Sequence, residues 1–198
     1  MSISAQHVKE LREKTAAGMM DCKKALEECE GDMEKAVDWL RRKGLAKAAK
    51  KAGRSTGQGM IASYVHSTGK IGVLAEIMCE TDFVARNEVF REFAKNIAMQ
   101  IAAAAPLALD AASLDPALVE REREVYRQKA REEGKPEAVI EKIVEGAVKK
   151  YVQEVCLLEQ PFIRDDKKTV RDLLNETIAA VGENMAVGRF VRMQLGAE

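Results

Sequence analysis

The apolar pattern changes period across Cys79–Phe90, Cys-Glu-Thr-Asp-Phe-Val-Ala-Arg-Asn-Glu-Val-Phe, and this change constrains the whole chain. Upstream, Ile71 to Cys79 is rich in β-branched and aliphatic residues, as a half-buried strand requires. Downstream, Val89, Phe90, Phe93, Ile97 and Ile101 recur at helical spacing. A second strand-like run, Met60 to His66, precedes the first across Ser67-Thr68-Gly69-Lys70, the pattern of a hairpin. Thr81, Asp82, Phe83 and Val84 therefore occupy a strand-to-helix junction. Two readings of that junction follow from residue types alone. In the local one, Thr81 or Asp82 caps a helix and Phe83 staples the entering chain to the core. In the other, an aromatic ring flanked by a carboxylate and a hydroxyl is presented to a partner as a rigid wedge.

Punctuation organises the rest. Ser4 is placed to cap a first helix bearing Val8 and Leu11, and Thr15-Ala16-Ala17-Gly18 ends it. A second helix carries Cys22, Ala25, Leu26 and Cys29; after Gly31, Asp32 caps a third with Met33, Ala36, Val37 and Leu40. These form a three-helix bundle over residues 1–44, with Trp39 half-buried at its edge. Met19 and Met20 are adjacent and cannot both face the bundle core, so one is expected to face outward, where a flexible apolar side chain suits a partner groove. A basic, glycine-containing linker is expected over 45–58. Its cations have no aromatic residues between them, which argues against a nucleic-acid site and for a solvated connection. The core domain then spans 59–198. Its long helix, from about Asn87 to Ala104, stops before Pro106; Asp115-Pro116 and Lys135-Pro136, with Gly134 between, predict an antiparallel helical hairpin at about 116–156. Leu157 to Ile163 reads as an edge strand or extended link because of Pro161. Thr169 caps a last helix that Gly182 closes, and Val187 to Leu195 alternates as a strand expected to join the hairpin in one antiparallel sheet. The predicted fold class is α+β, helix-dominated.

Composition excludes several functions. Lys plus Arg and Asp plus Glu are 32 each, so no bulk field draws nucleic acid or an anionic membrane. Cys22, Cys29, Cys79 and Cys156 lack Cys-x-x-Cys spacing and are read as core residues of a reducing compartment. The amino terminus has no apolar signal core and no run reaches the roughly 18 apolar residues of a membrane helix, which makes the cytoplasm the expected location. No phosphate-loop spacing, His-x-x-x-His or Gly-x-Ser-x-Gly occurs. His7 and His66 lie away from any nucleophile signal, and no carboxylate pair stands out for a hydrolase. Neither enzymatic chemistry nor a cofactor or metal is expected. Exposed apolar points on a scaffold with a projecting arm suit a binding protein.

Two long motifs carry a resemblance. Thr15–Leu26, Thr-Ala-Ala-Gly-Met-Met-Asp-Cys-Lys-Lys-Ala-Leu, and Thr81–Asn87, Thr-Asp-Phe-Val-Ala-Arg-Asn, are similar to the translation elongation factor Ts family, and the likeness continues through Gly134–Pro136, Glu159–Phe162 and Gly182–Asn184. The resemblance implies a guanine-nucleotide exchange factor for the GTPase elongation factor Tu, with an amino-terminal ubiquitin-associated-like bundle. It implies that Thr81, Asp82, Phe83 and Val84 disturb the magnesium site of that GTPase. It implies further that the bundle, through Arg12, Met19 and Met20, docks on the nucleotide domain. Ala16 stands where the family usually has glycine, and Gly188 where a basic residue is common. The chain resembles the short form of the family, with one core half. A symmetric homodimer through the region Phe190–Leu195, independent of disulfides, is therefore expected, with no membrane or direct nucleic-acid partner.

Overall fold

The computed structural model describes residues 3–15 and 17–197, so Ala16 lies outside the described residues. Three helices, α1 (Ala5–Thr15), α2 (Met19–Glu28) and α3 (Met33–Ala49), enclose a small core of Leu11, Cys22, Ala25, Leu26, Ala36 and Leu40. The Ser4 hydroxyl accepts the His7 N–H, and the Asp32 carboxylate accepts that of Lys35, so both expected caps form. Trp39 packs against this core half-buried, with the Lys43 ammonium 4.7 Å from its ring centroid. The third helix does not stop near Gly44. It continues to Ala49 because Leu45-Ala-Lys-Ala-Ala are good helix formers and because Gly44 and Ala48 are buried, the former against Ala179.

The hairpin strands β1 (Gln58–Val65) and β2 (Ile71–Cys79) pair antiparallel with β5 (Met185–Gln194), in the order β1-β2-β5. Val73, Ala75, Ile77, Met185 and Val187 point to one face. That face packs on α5 (Glu88–Ala104), whose Phe90, Phe93, Ile97 and Ile101 are buried, and on Ile178 of α8 (Val170–Val181). Between β2 and α5 lies a single turn of helix, α4 (Asp82–Ala85). The arm is α6 (Pro116–Glu132) and α7 (Glu137–Val155), joined through Gly134 at φ +70°, a conformation glycine adopts without strain. Ala130, Ile140, Val144 and Val148 form its own narrow core.

The expected edge strand is shorter than its sequence suggested. A 3₁₀ turn, Leu157–Glu159, precedes β3 (Pro161–Phe162), which pairs with β4 (Asp165–Thr169) apart from the main sheet. Gln100, fully buried on α5, anchors it: its amide donates to Gln160 Oε1 and the Pro161 carbonyl and accepts the Ile163 N–H. Thr169 and Asp172 form a reciprocal capping box on α8. No helix of the described residues is long and apolar enough to cross a membrane.

Candidate partner-binding surface

The junction is built from two consecutive caps. Thr81, in extended backbone, accepts the Val84 N–H at 3.4 Å and starts α4; Asn87 accepts the Val89 N–H at 2.8 Å and starts α5. Thr81 therefore does the capping. Asp82, in the first turn, forms an ion pair with Arg86 at 3.0 Å. Successive residues in a helical turn point about 100° apart, so one neighbour's burial turns the next outward. Val84 is 9% exposed and packs into the main core, whereas Phe83 is 80% exposed. Val84 is the residue that fastens the turn to the core, and the staple reading of Phe83 gives way to the exposed one. Leaving a phenylalanine in water forgoes roughly 1.5–3 kcal/mol of burial, so the fold itself gains little from this ring.

The segment around Phe83 is braced from the other end of the chain. The Glu183 carboxylate accepts the Thr81 N–H at 3.0 Å and the Thr81 hydroxyl at 2.7 Å. One residue on either side, Glu80 accepts the Asn184 N–H at 2.5 Å and faces Arg54 at 3.5 Å, while the Asn184 amide donates to the Arg54 carbonyl at 2.8 Å. Cys79 donates its S–H to the Thr81 carbonyl at 3.1 Å; burial, reinforced by the Glu183 charge, pushes that thiol up. Sequence reasoning about roles missed Glu80, Arg54, Glu183 and Asn184. The available signal was Gly182-Glu-Asn itself, two polar residues set between a helix stop and a buried strand.

A second exposed apolar point lies on the bundle. Met19 and Met20 are 59% and 74% exposed, so both face outward where only one was expected to. They open α2 before the inward turn of Cys22, Ala25 and Leu26, and the short side chains of that face fill the small core without them. Arg12 is exposed on α1 near this end of α2. Burial pushes the Cys22 thiol up, while Thr15 and, less strongly, Arg12 act in the opposite direction. The structure thus brings Thr81–Val84 together as one turn and sets Arg12, Met19 and Met20 on a different core.

Helix α3 joins the two regions. Asp21 of α2 accepts from Lys43 at 2.8 Å and Lys47 at 2.6 Å, and Arg41 donates to Asp172 at 2.5 Å across to α8. Burial pushes the Asp172 carboxyl up, but the Thr169 N–H and hydroxyl together with Arg41 outweigh it and hold it below the usual range. Much of the basic run Arg41–Arg54 is consequently engaged within the molecule rather than solvated as a free linker. Among the described residues, no group of three His, Cys, Asp or Glu side chains is arranged to hold a metal.

Comparison with known proteins agrees with this architecture. A family model described as Elongation factor TS matches residues 4–197. Elongation factor Ts of Nitratidesulfovibrio vulgaris is 75% identical over 198 residues, covering 100% of this chain and 99% of the relative. The protein of the same name from Oleidesulfovibrio alaskensis is 71% identical over 196 residues, 99% of each chain, and that from Solidesulfovibrio magneticus is 62% identical over 197 residues, 100% of this chain and 98% of the relative. The chain belongs to the elongation factor Ts family.

Proposed function

We propose that this protein is a guanine-nucleotide exchange factor that binds elongation factor Tu in the cytoplasm and speeds GDP release during translation elongation. The observation that carries the reading is Phe83, 80% exposed on a one-turn helix whose neighbours are capped, buried and hydrogen-bonded. A ring carried on a backbone held in this way is preorganised for a partner, because little loop entropy remains to be lost on binding. The turn Thr81, Asp82, Phe83 and Val84 acts as the wedge at the magnesium site of the GTPase, with Phe83 presented to the partner and Val84 anchoring the turn in the core. Magnesium neutralises the phosphate oxygens of the bound nucleotide, so displacing it removes part of the attraction that retains GDP. Exchange factor and nucleotide then weaken one another reciprocally, and release accelerates as far as the ternary complex stabilises the route to the empty GTPase. A 10⁴-fold acceleration corresponds to about 5.5 kcal/mol of lowered barrier. No covalent step is required of the exchange factor, and it needs no cofactor of its own.

The bundle is the docking module in this reading, a ubiquitin-associated-like domain applied to the nucleotide domain through Arg12, Met19 and Met20. Assembly as a symmetric homodimer completes it. The sheet packs one face on α5 and leaves Ile61, Val65, Leu74, Val191 and Met193 exposed on the other. Leu74 and Val191 are register partners, as are Gly72 and Met193, so these side chains form one patch. Its central charges, Glu76 and Arg189, pair with each other, which suits an identical face rather than a charged ligand. Phe190 packs against the core, so the contact is made by its neighbours, not by that ring.

The decisive experiment adds the protein to elongation factor Tu loaded with fluorescent GDP. Release should accelerate by orders of magnitude; an unchanged rate overturns the reading.

A further inference from the structure

We propose that Glu183 is the positioning residue of the Phe83 wedge, an inference that rests on the exchange-factor reading above. Helix α4 has four residues, too few to hold itself together, so its orientation is set by anchors outside it. Val84 supplies one, by burial. Glu183 supplies the other: a single carboxylate takes both donors of Thr81, the backbone N–H at 3.0 Å and the hydroxyl at 2.7 Å. A carboxylate offers acceptors alone, and charge-assisted bonds are about twice as strong as neutral ones. With its proton committed to Glu183, the Thr81 oxygen presents a lone pair to the Val84 N–H, which is the cap of α4. The carboxylate therefore orders the cap, and the cap orients the ring two residues on.

The position of Glu183 gives the bracing its reach. It lies between Gly182, which ends α8, and Asn184, which is buried and binds the Arg54 carbonyl. Arg54 lies five residues beyond Ala49, the end of α3, and Arg54 and Asn184 both contact Glu80, the residue before Thr81. The wedge is thus referenced to the chain leaving the bundle and to α8 at once. The hydrogen bonds of Glu183 go to Thr81, through which it acts on Phe83.

The test compares Glu183→Ala, Glu183→Gln and Phe83→Ala, singly and combined, in the full chain. Glu183→Ala should lower GDP release at saturating exchange factor by about tenfold, as misplacement of a positioned group commonly does, while affinity for the GTPase through the bundle changes less than about threefold. The loss should vanish in the Phe83→Ala background, because there is no ring left to orient. Glu183→Gln keeps one acceptor and the shape, and should recover most of the rate. A direct readout needs no GTPase. With Trp39→Phe and Phe83→Trp, one indole reports on the wedge, and Glu183→Ala should lower its fluorescence anisotropy in buffer without denaturant, where circular dichroism shows both proteins folded. An indole as immobile with Glu183→Ala as without overturns the inference about Glu183 and leaves the wedge standing. Equal rate losses in both Phe83 backgrounds overturn it as well. Normal release from Phe83→Ala alone overturns the wedge reading instead.

Discussion

Phe83 and Val84 are chain neighbours with opposite environments, and a pair of substitutions separates their roles. Phe83→Ala removes a ring that is 80% exposed, so stability should change by less than about 1 kcal/mol while catalysed GDP release falls at least about tenfold. Val84→Ala removes methyl groups from the core and should cost about 1–3 kcal/mol, with release per folded molecule much less affected. Urea unfolding and GDP release measured on both proteins check the contrast; a strongly destabilised Phe83→Ala with normal release per folded molecule would reverse it. Gly188 is decided at the same scale. A Cβ there would stand 2.8 Å from Glu76 Oε2 and 3.0 Å from Glu76 Cβ, so the glycine leaves room for the Glu76–Arg189 pair on the sheet surface. The second of those atoms cannot swing away as the carboxylate can. Gly188→Ala should therefore destabilise by roughly 1–2 kcal/mol, read as a lowered urea midpoint, even though alanine suits a strand better than glycine does.

At the scale of elements, the bundle depends on α3 being longer than the stretch it gives to the bundle core. Beyond Leu40, the last buried residue of that stretch, the helix carries Lys43 and Lys47, and both reach Asp21 on α2. Hydrogen bonds from Lys43 and then Lys47 hold the Asp21 carboxyl below its usual range against the opposing push of burial. A carboxyl whose value is depressed by folding contributes stability above its unfolded value, near 3.9, and that contribution is lost as pH falls through the lower folded value. Asp21→Asn should accordingly cost roughly 1 kcal/mol at pH 7, and the difference from the parent protein should shrink below about pH 4. Denaturant titrations at pH 7 and pH 3 check it; a penalty equal at both would show that packing, not charge, is lost. The helical hairpin illustrates the opposite case, an element legible from end to end. Its proline starts, its glycine turn and the row Ile140, Val144 and Val148 are all local signals, and the helices form where those signals lie.

For the whole molecule, the uncovered sheet face is the feature that a single copy does not explain. Leu74 and Val191 are each half exposed and adjacent in register. Replacing both by lysine removes one half-exposed cross-strand pair and sets two like charges opposite each other, so the monomer fold should survive at a cost of about 1–2 kcal/mol. In sedimentation at micromolar concentration the parent should run as a dimer and Leu74→Lys/Val191→Lys as a monomer. A monomeric parent protein would remove the dimer from the proposal. The strand edges argue the same way, because β1 and β5 are both edge strands of a sheet only three strands wide.

Local periodicity and punctuation suffice for a large part of the fold. This includes the hairpin and its turn, the caps at Ser4, Asp32 and Thr169, the long helices with their buried stripes, and the junction at Thr81–Val84. Such signals arise within a few residues of chain, where the spacing of apolar side chains and the needs of unpaired N–H groups leave a mark. Tertiary structure alone decided which of Phe83 and Val84 turns inward, because a turn of helix can bury either face until a core exists to receive one. It also decided that both Met19 and Met20 face water and that the end of α3 packs on α8. Strand β4, Asp-Asp-Lys-Lys-Thr, has no apolar alternation to reveal it and exists through pairing with β3. Glu183 is the clearest case. Its bonds to Thr81 span 102 residues, and a carboxylate beside a helix stop carries no periodic sign of a partner that distant in the chain; only the register of β5 against β2, which brings Met185 opposite Cys79, carries the two residues together.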